Sequence, residues 1–357
     1  MSESQGMQGV RIGPIEWSVP IVGAPMAGGP TTPALVAAVS NAGGLGTLAA
    51  GYLTAEQLEP LLTEVEGLTE RPYGVNLFLP GTDLGEQLAD EIAEYRTRLQ
   101  IDADTLGAEV GDPVFFDEDI DAKIAVLARH RPAFVSTTFA DPGPVLVDRI
   151  HSEVGAQVFV TVTSPEEAAA ALASGADALI AQGVEAGGHR GIWRDDPGHP
   201  HGGPGMSTAG LVRKVAKTTD VPIIAAGGVG VADDVRALLD AGATAVAVGT
   251  ALLCSDEAGT SEPYRNAVFN WEYRGTVVTR AYSGRPARAL ANRFATMNVD
   301  APAAYPQVHY MTKPLRAAAA AAGNTQVLNL WAGDGWDAVQ KGPAAQIIAN
   351  LTGGGTE

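Results

Sequence analysis

Eight short apolar runs, separated by segments that carry helix signals, constrain this chain more than any other feature. They cover residues 19–26, 45–50, 73–78, 133–138, 158–163, 178–181, 221–225 and 243–248. Continuous apolar runs of this length suit strands covered on both faces, as in a parallel sheet. Between them lie good helix starts: Thr31 or Thr32 before Pro33, Thr54, Ser207, and Ser164-Pro165-Glu166-Glu167. Each places a hydroxyl where it can accept from the free backbone N–H groups of a first turn. Strand and helix in alternation predict an α/β fold, a (β/α)8 TIM barrel with an inserted C-terminal cap region; an open doubly wound sheet is the competitor. Residues 80–130 hold more helix than one crossover needs, around 88–99 and 119–129, and read as an insertion. The expected units are a barrel over 1–253 and 325–357 and a cap or substrate-side region over 254–324.

Composition narrows the class. With 46 % hydrophobic and 18 % charged residues in 357, the chain suits a compact enzyme and not a disordered one. No leader pattern is seen, and no apolar run approaches the roughly 20 residues that span a bilayer, so a cytoplasmic protein is expected. Cys254 is the single cysteine, which excludes an intrachain disulfide and a Cys-rich metal site; it is expected as a small buried residue. A net charge of -18 is a poor match for nucleic acid. Residues 265–316 run against this balance with a positive excess of six. They are expected either to cap the barrel mouth and offset the negative field there, Arg285 and Arg288 included, or to form an ordinary basic surface or a subunit interface.

The richest site signal lies at 177–191. The apolar run 178–181 ends in Gln182; Gly183, Gly187 and Gly188 then allow close backbone approach to a ligand, and His189 brings a group that exchanges protons near neutral pH. Gly227 and Gly228 follow the seventh run, Gly249 and Thr250 the eighth. In a barrel, loops at those two places commonly hold a phosphate on bare N–H groups. Asn76, inside an apolar run, must either pair with backbone or face a ligand. His199 and His201 stand in a Gly-His-Pro-His-Gly motif that itself holds no acidic or thiol ligand and read as a solvated loop, so no metal is expected. His130, His151 and His309 read as ordinary surface residues.

Taken together, Ala24-Pro25-Met26-Ala27-Gly28, the block 40–46, Val75-Asn76-Leu77-Phe78, residues 182–191 and Ala225-Ala226-Gly227-Gly228 resemble the nitronate monooxygenase family, formerly 2-nitropropane dioxygenases. The likeness runs from about Ile21 to Thr250 and continues weakly through 283–288. It implies an FMN-dependent barrel enzyme that oxidises alkyl nitronates, and possibly nitroalkanes, with dioxygen to carbonyl compounds and nitrite. By that likeness FMN would meet Ala24, Pro25, Met26, Asn76, Gln182, Gly187, Gly188, Gly227, Gly228, Ala247, Val248, Gly249 and Thr250, and His189 would be the catalytic residue. Family members often carry glutamine where this chain has Ala247, so backbone contacts are expected there.

The chemistry suits these residues. A carbon beside a nitro group is acidic enough for an imidazole to deprotonate, and the nitronate so formed can reduce a flavin. His189 would be that base, or would orient a nitronate already ionised, with a pKa expected near working pH. Tyr305, Tyr310 and Lys313 are candidate substrate-cavity residues. The expected partners are a small anionic nitronate and dioxygen, with neither nucleic acid nor membrane, in a monomer or homodimer. Two rivals remain: an FMN-dependent enoyl-ACP or NAD(P)H:quinone reductase of the same superfamily, and a flavin-free phosphate-binding barrel.

Overall fold

The computed structural model of the chain describes residues 9–354, so the outer limits expected for the barrel unit, residues 1 and 357, lie outside it. Thirteen strands occur among the described residues. In chain order they are β1 (Val10–Ile12), β2 (Ile15–Trp17), β3 (Ile21–Gly23), β4 (Gly46–Ala49), β5 (Tyr73–Phe78), β6 (Phe134–Thr138), β7 (Gln157–Val162) and β8 (Ala178–Gln182), then β9 (Gly188–His189), β10 (Ile223–Ala226), β11 (Ala245–Val248), β12 (Thr276–Thr279) and β13 (Ala287–Leu290).

Eight of them, one within or across each expected apolar run, form a parallel sheet in the order β3-β11-β10-β8-β7-β6-β5-β4. Its two edges meet through a parallel bridge between Val22 and Leu45. Gly23 N donates to Leu45 O at 2.9 Å and Leu45 N to Ile21 O at 3.0 Å, so the sheet closes on itself. That closure excludes the open doubly wound alternative. Nearly every residue of these strands is buried, as a sheet covered by side chains inside and helices outside requires. The expected caps are in place: the side chains of Thr32, Thr54, Ser164 and Ser207 accept from first-turn N–H groups, and Thr54 and Gln57 cap each other reciprocally.

Two parts of the fold lie outside the eight barrel strands and the helices between them. Residues 10–17 form the antiparallel hairpin β1–β2, whose Val10, Ile12, Ile15 and Trp17 are buried while Arg11 and Glu16 face out. These four pack on Phe134, Phe159, Ala178, Ile224 and Ala245, at or near the amino ends of barrel strands, and floor the barrel there. The second is a separate apolar cluster that joins the helix Ala89–Leu106 to the helix Gln307–Ala321 through Ile92, Tyr95, Leu99, Val308, Met311 and Leu315. The insertion after β5 and the segment after residue 280 therefore share one core.

β13 lies between β12 and β9 in a three-stranded antiparallel sheet. Its register sets Ala287 opposite His189 and Arg288 opposite Gly188, which ties the post-254 segment directly to the loop after β8. Among the described residues no helix is long and apolar enough to cross a membrane.

Candidate active site

One cavity opens at the carboxyl ends of the barrel strands, opposite the hairpin floor. Ala24, Pro25 and Met26 line it after β3, Asn76 from β5, Gln182, Gly187, Gly188 and His189 around β8 and β9. Gly227 and Gly228 line it after β10, and Ala247, Val248, Gly249 and Thr250 at the end of β11. The scattered glycine-rich strand ends and the histidine thus converge on a single space.

The ends of β10 and β11 have the character of an anion cradle. The backbone N–H groups of Gly228, Val229, Gly249 and Thr250 donate to no acceptor among the described residues. Thr250 Oγ1 accepts from Gly333 N at 3.0 Å, which leaves its own proton available. Gly228 sits at φ +75°, a conformation that side chains rarely adopt. A Cβ on Gly227 would come within 2.8 Å of Ala186 N, so the close approach of the β8 and β10 loops requires glycine there.

Two polar side chains take roles the sequence left open. Asn76 Nδ2 donates to Ser136 Oγ at 3.0 Å and Thr138 Oγ1 at 3.1 Å, so its amide group is held by hydroxyls on the neighbouring strand while it lines the cavity. Gln182 is bound at both ends, with Nε2 donating to His189 O at 3.0 Å and Oε1 accepting from Gly191 N at 2.7 Å. It fixes the path of the chain that carries the imidazole.

His189 Nε2 stands 2.9 Å from Ser283 Oγ. Its ring lies among aromatic neighbours, with centroids 5.3 Å from Trp331, 5.8 Å from Phe139 and 6.0 Å from Tyr305. Burial, reinforced by the cations Arg285 and Arg316, pushes its pKa down to about 3. This corrects the expectation of a base poised near working pH: no carboxylate is close enough to offset the desolvation, so the ring is neutral.

The helix Gln307–Ala321 presents other residues to the cavity than those expected. Lys313 is exposed and lies over the Tyr310 ring, 6.0 Å from its centroid; neither residue lines the cavity. His309 and Arg316 do, two turns apart on one face of the helix. Tyr305 is near the site through its ring contacts with His189 and Phe139. His309, expected at the surface, is buried and stacks on Tyr52 with centroids 3.8 Å apart. Tyr52, Phe139, Trp331 and Arg316 were not foreseen; only the spacing of His309, Thr312 and Arg316 on one helical face held a signal.

Of the basic segment, Arg316 lines the cavity, whereas Arg285 and Arg288 do not. Arg285 is buried, donates to Ile192 O and lies 4.1 Å over the Phe139 ring. Arg288 donates to Val184 O and pairs with Asp334 at 2.9 Å. Arg280 pairs with Asp195 and Arg293 with Asp102. These cations hold loops together. His199 pairs with Asp196 at 2.7 Å and His201 with Val278 O at 2.7 Å, both exposed. Among the described residues no group of three His, Cys, Asp or Glu side chains is arranged to hold a metal ion. Cys254 is buried.

The family model described as nitronate monooxygenase matches residues 14–354. A nitronate monooxygenase of Pseudomonas aeruginosa is 40 % identical over 348 residues, covering 93 % of this chain and 95 % of the relative. One from Paraburkholderia phytofirmans is 35 % identical over 338 residues, covering 93 % and 91 %. Among solved structures, a nitroalkane oxidase from Streptomyces ansochromogenes aligns with a TM-score of 0.90 at 43 % identity, over 94 % of this chain and 95 % of its own. FabK from Thermotoga maritima aligns with a TM-score of 0.69 at 25 % identity, over 95 % and 93 %.

Proposed function

The chain belongs to the nitronate monooxygenase family, and from that premise we propose that it oxidises alkyl nitronates with dioxygen, using FMN, to carbonyl compounds and nitrite. The observation that carries this reading is the charge of the cavity. Its lining holds the guanidinium of Arg316, two imidazoles kept neutral by burial, and no carboxylate. Such a space favours a ligand that arrives as an anion over one that must first lose a proton.

The residues suit FMN. Four unpaired N–H groups at the ends of β10 and β11 match a phosphate held by backbone alone. Ala24, Pro25 and Met26 offer an apolar wall beside Gly249, suited to the flat face of a ring. When bound, FMN supplies the electron transfer between nitronate and dioxygen.

The chain's own residues then bind and orient. His189, neutral at any working pH, presents its ring to the substrate while Ser283 holds Nε2 and Gln182 holds its carbonyl. The aromatic neighbours Phe78, Phe139, Tyr305 and Trp331 exclude water from around it. A neutral nitroalkane would need a base, and an imidazole with a pKa of about 3 is a weak one until an anion is beside it. Nitronates are therefore expected to be turned over with far higher kcat/KM than the parent nitroalkanes at neutral pH.

Anaerobic mixing tests the proposal. Bleaching of the yellow chromophore by a nitronate alone, followed in air by nitrite release, is the expected result. Rapid bleaching by NADPH with none by nitronate would assign the protein to the reductases, and a colourless protein that does not take up FMN would leave a phosphate-binding barrel.

A further inference from the structure

Arg316 is the one cavity-lining cation, and among the described residues no carboxylate lies within salt-bridge distance of it. The buried cations Lys123 and Arg280, by contrast, are each paired with a carboxylate, Glu118 and Asp195. Arg316 donates from Nε to Thr312 Oγ1 at 3.2 Å and from Nη2 to His309 O at 3.0 Å. Nη1 has no partner among the described residues. Arg316 is half-buried, and drawing a guanidinium even partly out of water without a counter-charge is costly, so the position suits a negative group.

The neighbouring imidazole is set to assist. Arg316 Nη2 stands 3.3 Å from His309 Nδ1. A guanidinium only donates, so Nδ1 must accept, and the ring proton of the neutral imidazole is on Nε2. That N–H has no acceptor among the described residues, and His309 lines the cavity. The stack on Tyr52, inclined by 10°, fixes the plane of the ring. Arg316 Nη1 and His309 Nε2 together offer N–H donors to the cavity and no acceptor.

We propose that Arg316, with His309 beside it, is the seat for the substrate's anionic oxygens and selects ionised nitronates over neutral nitroalkanes. The selection rests on the nitronate-oxidising function proposed above; the seat itself does not. A small anion with two oxygens can accept charge-assisted hydrogen bonds from the free Nη1 of Arg316 and a further one from His309 Nε2.

Nitrate, a planar anion that is not a substrate, is the probe. Calorimetric titration of the purified flavoprotein is expected to show saturable nitrate binding that competes with nitronate. Arg316→Met should weaken nitrate binding and raise KM for nitronate by roughly ten- to hundredfold, the loss of charge-assisted hydrogen bonds. Arg316→Lys should recover most of the nitrate affinity, a rescue that a purely structural role would not predict. Should Arg316→Met fail to fold, His309→Phe keeps the stack on Tyr52 and removes one donor, and weaker nitrate binding is expected there too. Unchanged nitrate affinity in the folded variant, or no nitrate binding by the wild type, overturns the seat. Nitrate binding that depends on Arg316 in a protein that oxidises no nitronate would uphold the seat and overturn the proposed function.

Discussion

Ser283 Oγ holds His189 Nε2 at 2.9 Å while its contact with Arg285 O is 3.3 Å. The shorter bond fixes the ring at Nε2 in one tautomer, and Nδ1 has no protein partner among the described residues. Ser283→Ala frees the ring to adopt either tautomer and is expected to lower kcat/KM for nitronate by about tenfold, the worth of one such hydrogen bond. Nitrogen-15 spectra of the histidines check it: a mixture of tautomers at His189 is expected in the variant and a single one in the wild type.

Acid should destabilise the fold through the same ring. The pKa of His189 is depressed to about 3 in the folded state, against about 6.5 unfolded. Above pH 6.5 neither state binds the proton and nothing is lost. Between 6.5 and 3 only the unfolded state takes it up, so stability falls with pH at about 1.4 kcal/mol per pH unit for this one group. Denaturant titrations from pH 7 to pH 4 are expected to give a shallower decline for His189→Asn than for the wild type. Equal declines would show that the imidazole is not held neutral.

Lys123 Nζ is fully buried, 2.9 Å from Glu118 Oε2 and 2.9 Å from Ala50 O. Glu118 also accepts from Tyr52 N at 3.0 Å, where the backbone has φ +68°. Burial raises the Glu118 carboxyl pKa and the adjacent ammonium partly offsets the rise. Glu118→Ala strands the ammonium and is expected to cost about 3–5 kcal/mol. Replacing both partners, Glu118→Leu with Lys123→Met, should cost less than Glu118→Ala alone. Chemical denaturation of the three proteins measures the difference.

Two adjacent glycines should respond differently to the same change. A Cβ on Gly187 would fall 2.4 Å from Gly333 N, a clash with backbone that cannot step aside. On Gly188 it would meet open space, leaving only the strain of φ +70°, about 1–2 kcal/mol. Gly187→Ala is expected to lose bound flavin and melt well below Gly188→Ala, with absorbance and thermal unfolding as the readouts.

The barrel could be read from the sequence because each of its strands is a buried apolar run bounded by a cap or a glycine turn. Thr32, Thr54, Ser164 and Ser207 cap where local chemistry says they should. The cradle was legible for the same reason, since Gly227 and Gly228 follow a strand at positive φ, where glycine is favoured. The hairpin at 10–17 was not, because three-residue strands are too short to show alternation against a polar background. Arg285 and Arg288 misled because charge in a sequence does not reveal its partner: Ile192 O, Val184 O and Asp334 are about 50 to 100 residues away. His309 was overlooked beside Tyr310 and Lys313, whose chemistry is more conspicuous.

The pairing of β13 with β9 limits how a molecule reaches the imidazole. Ala287 and Arg288 are hydrogen-bonded across to His189 and Gly188, so the roof and the working group belong to one ribbon. Swinging that roof aside as a flap would carry the imidazole off its station. The ring's station therefore depends on a strand outside the barrel, and whatever loosens that pairing misaligns the imidazole as well.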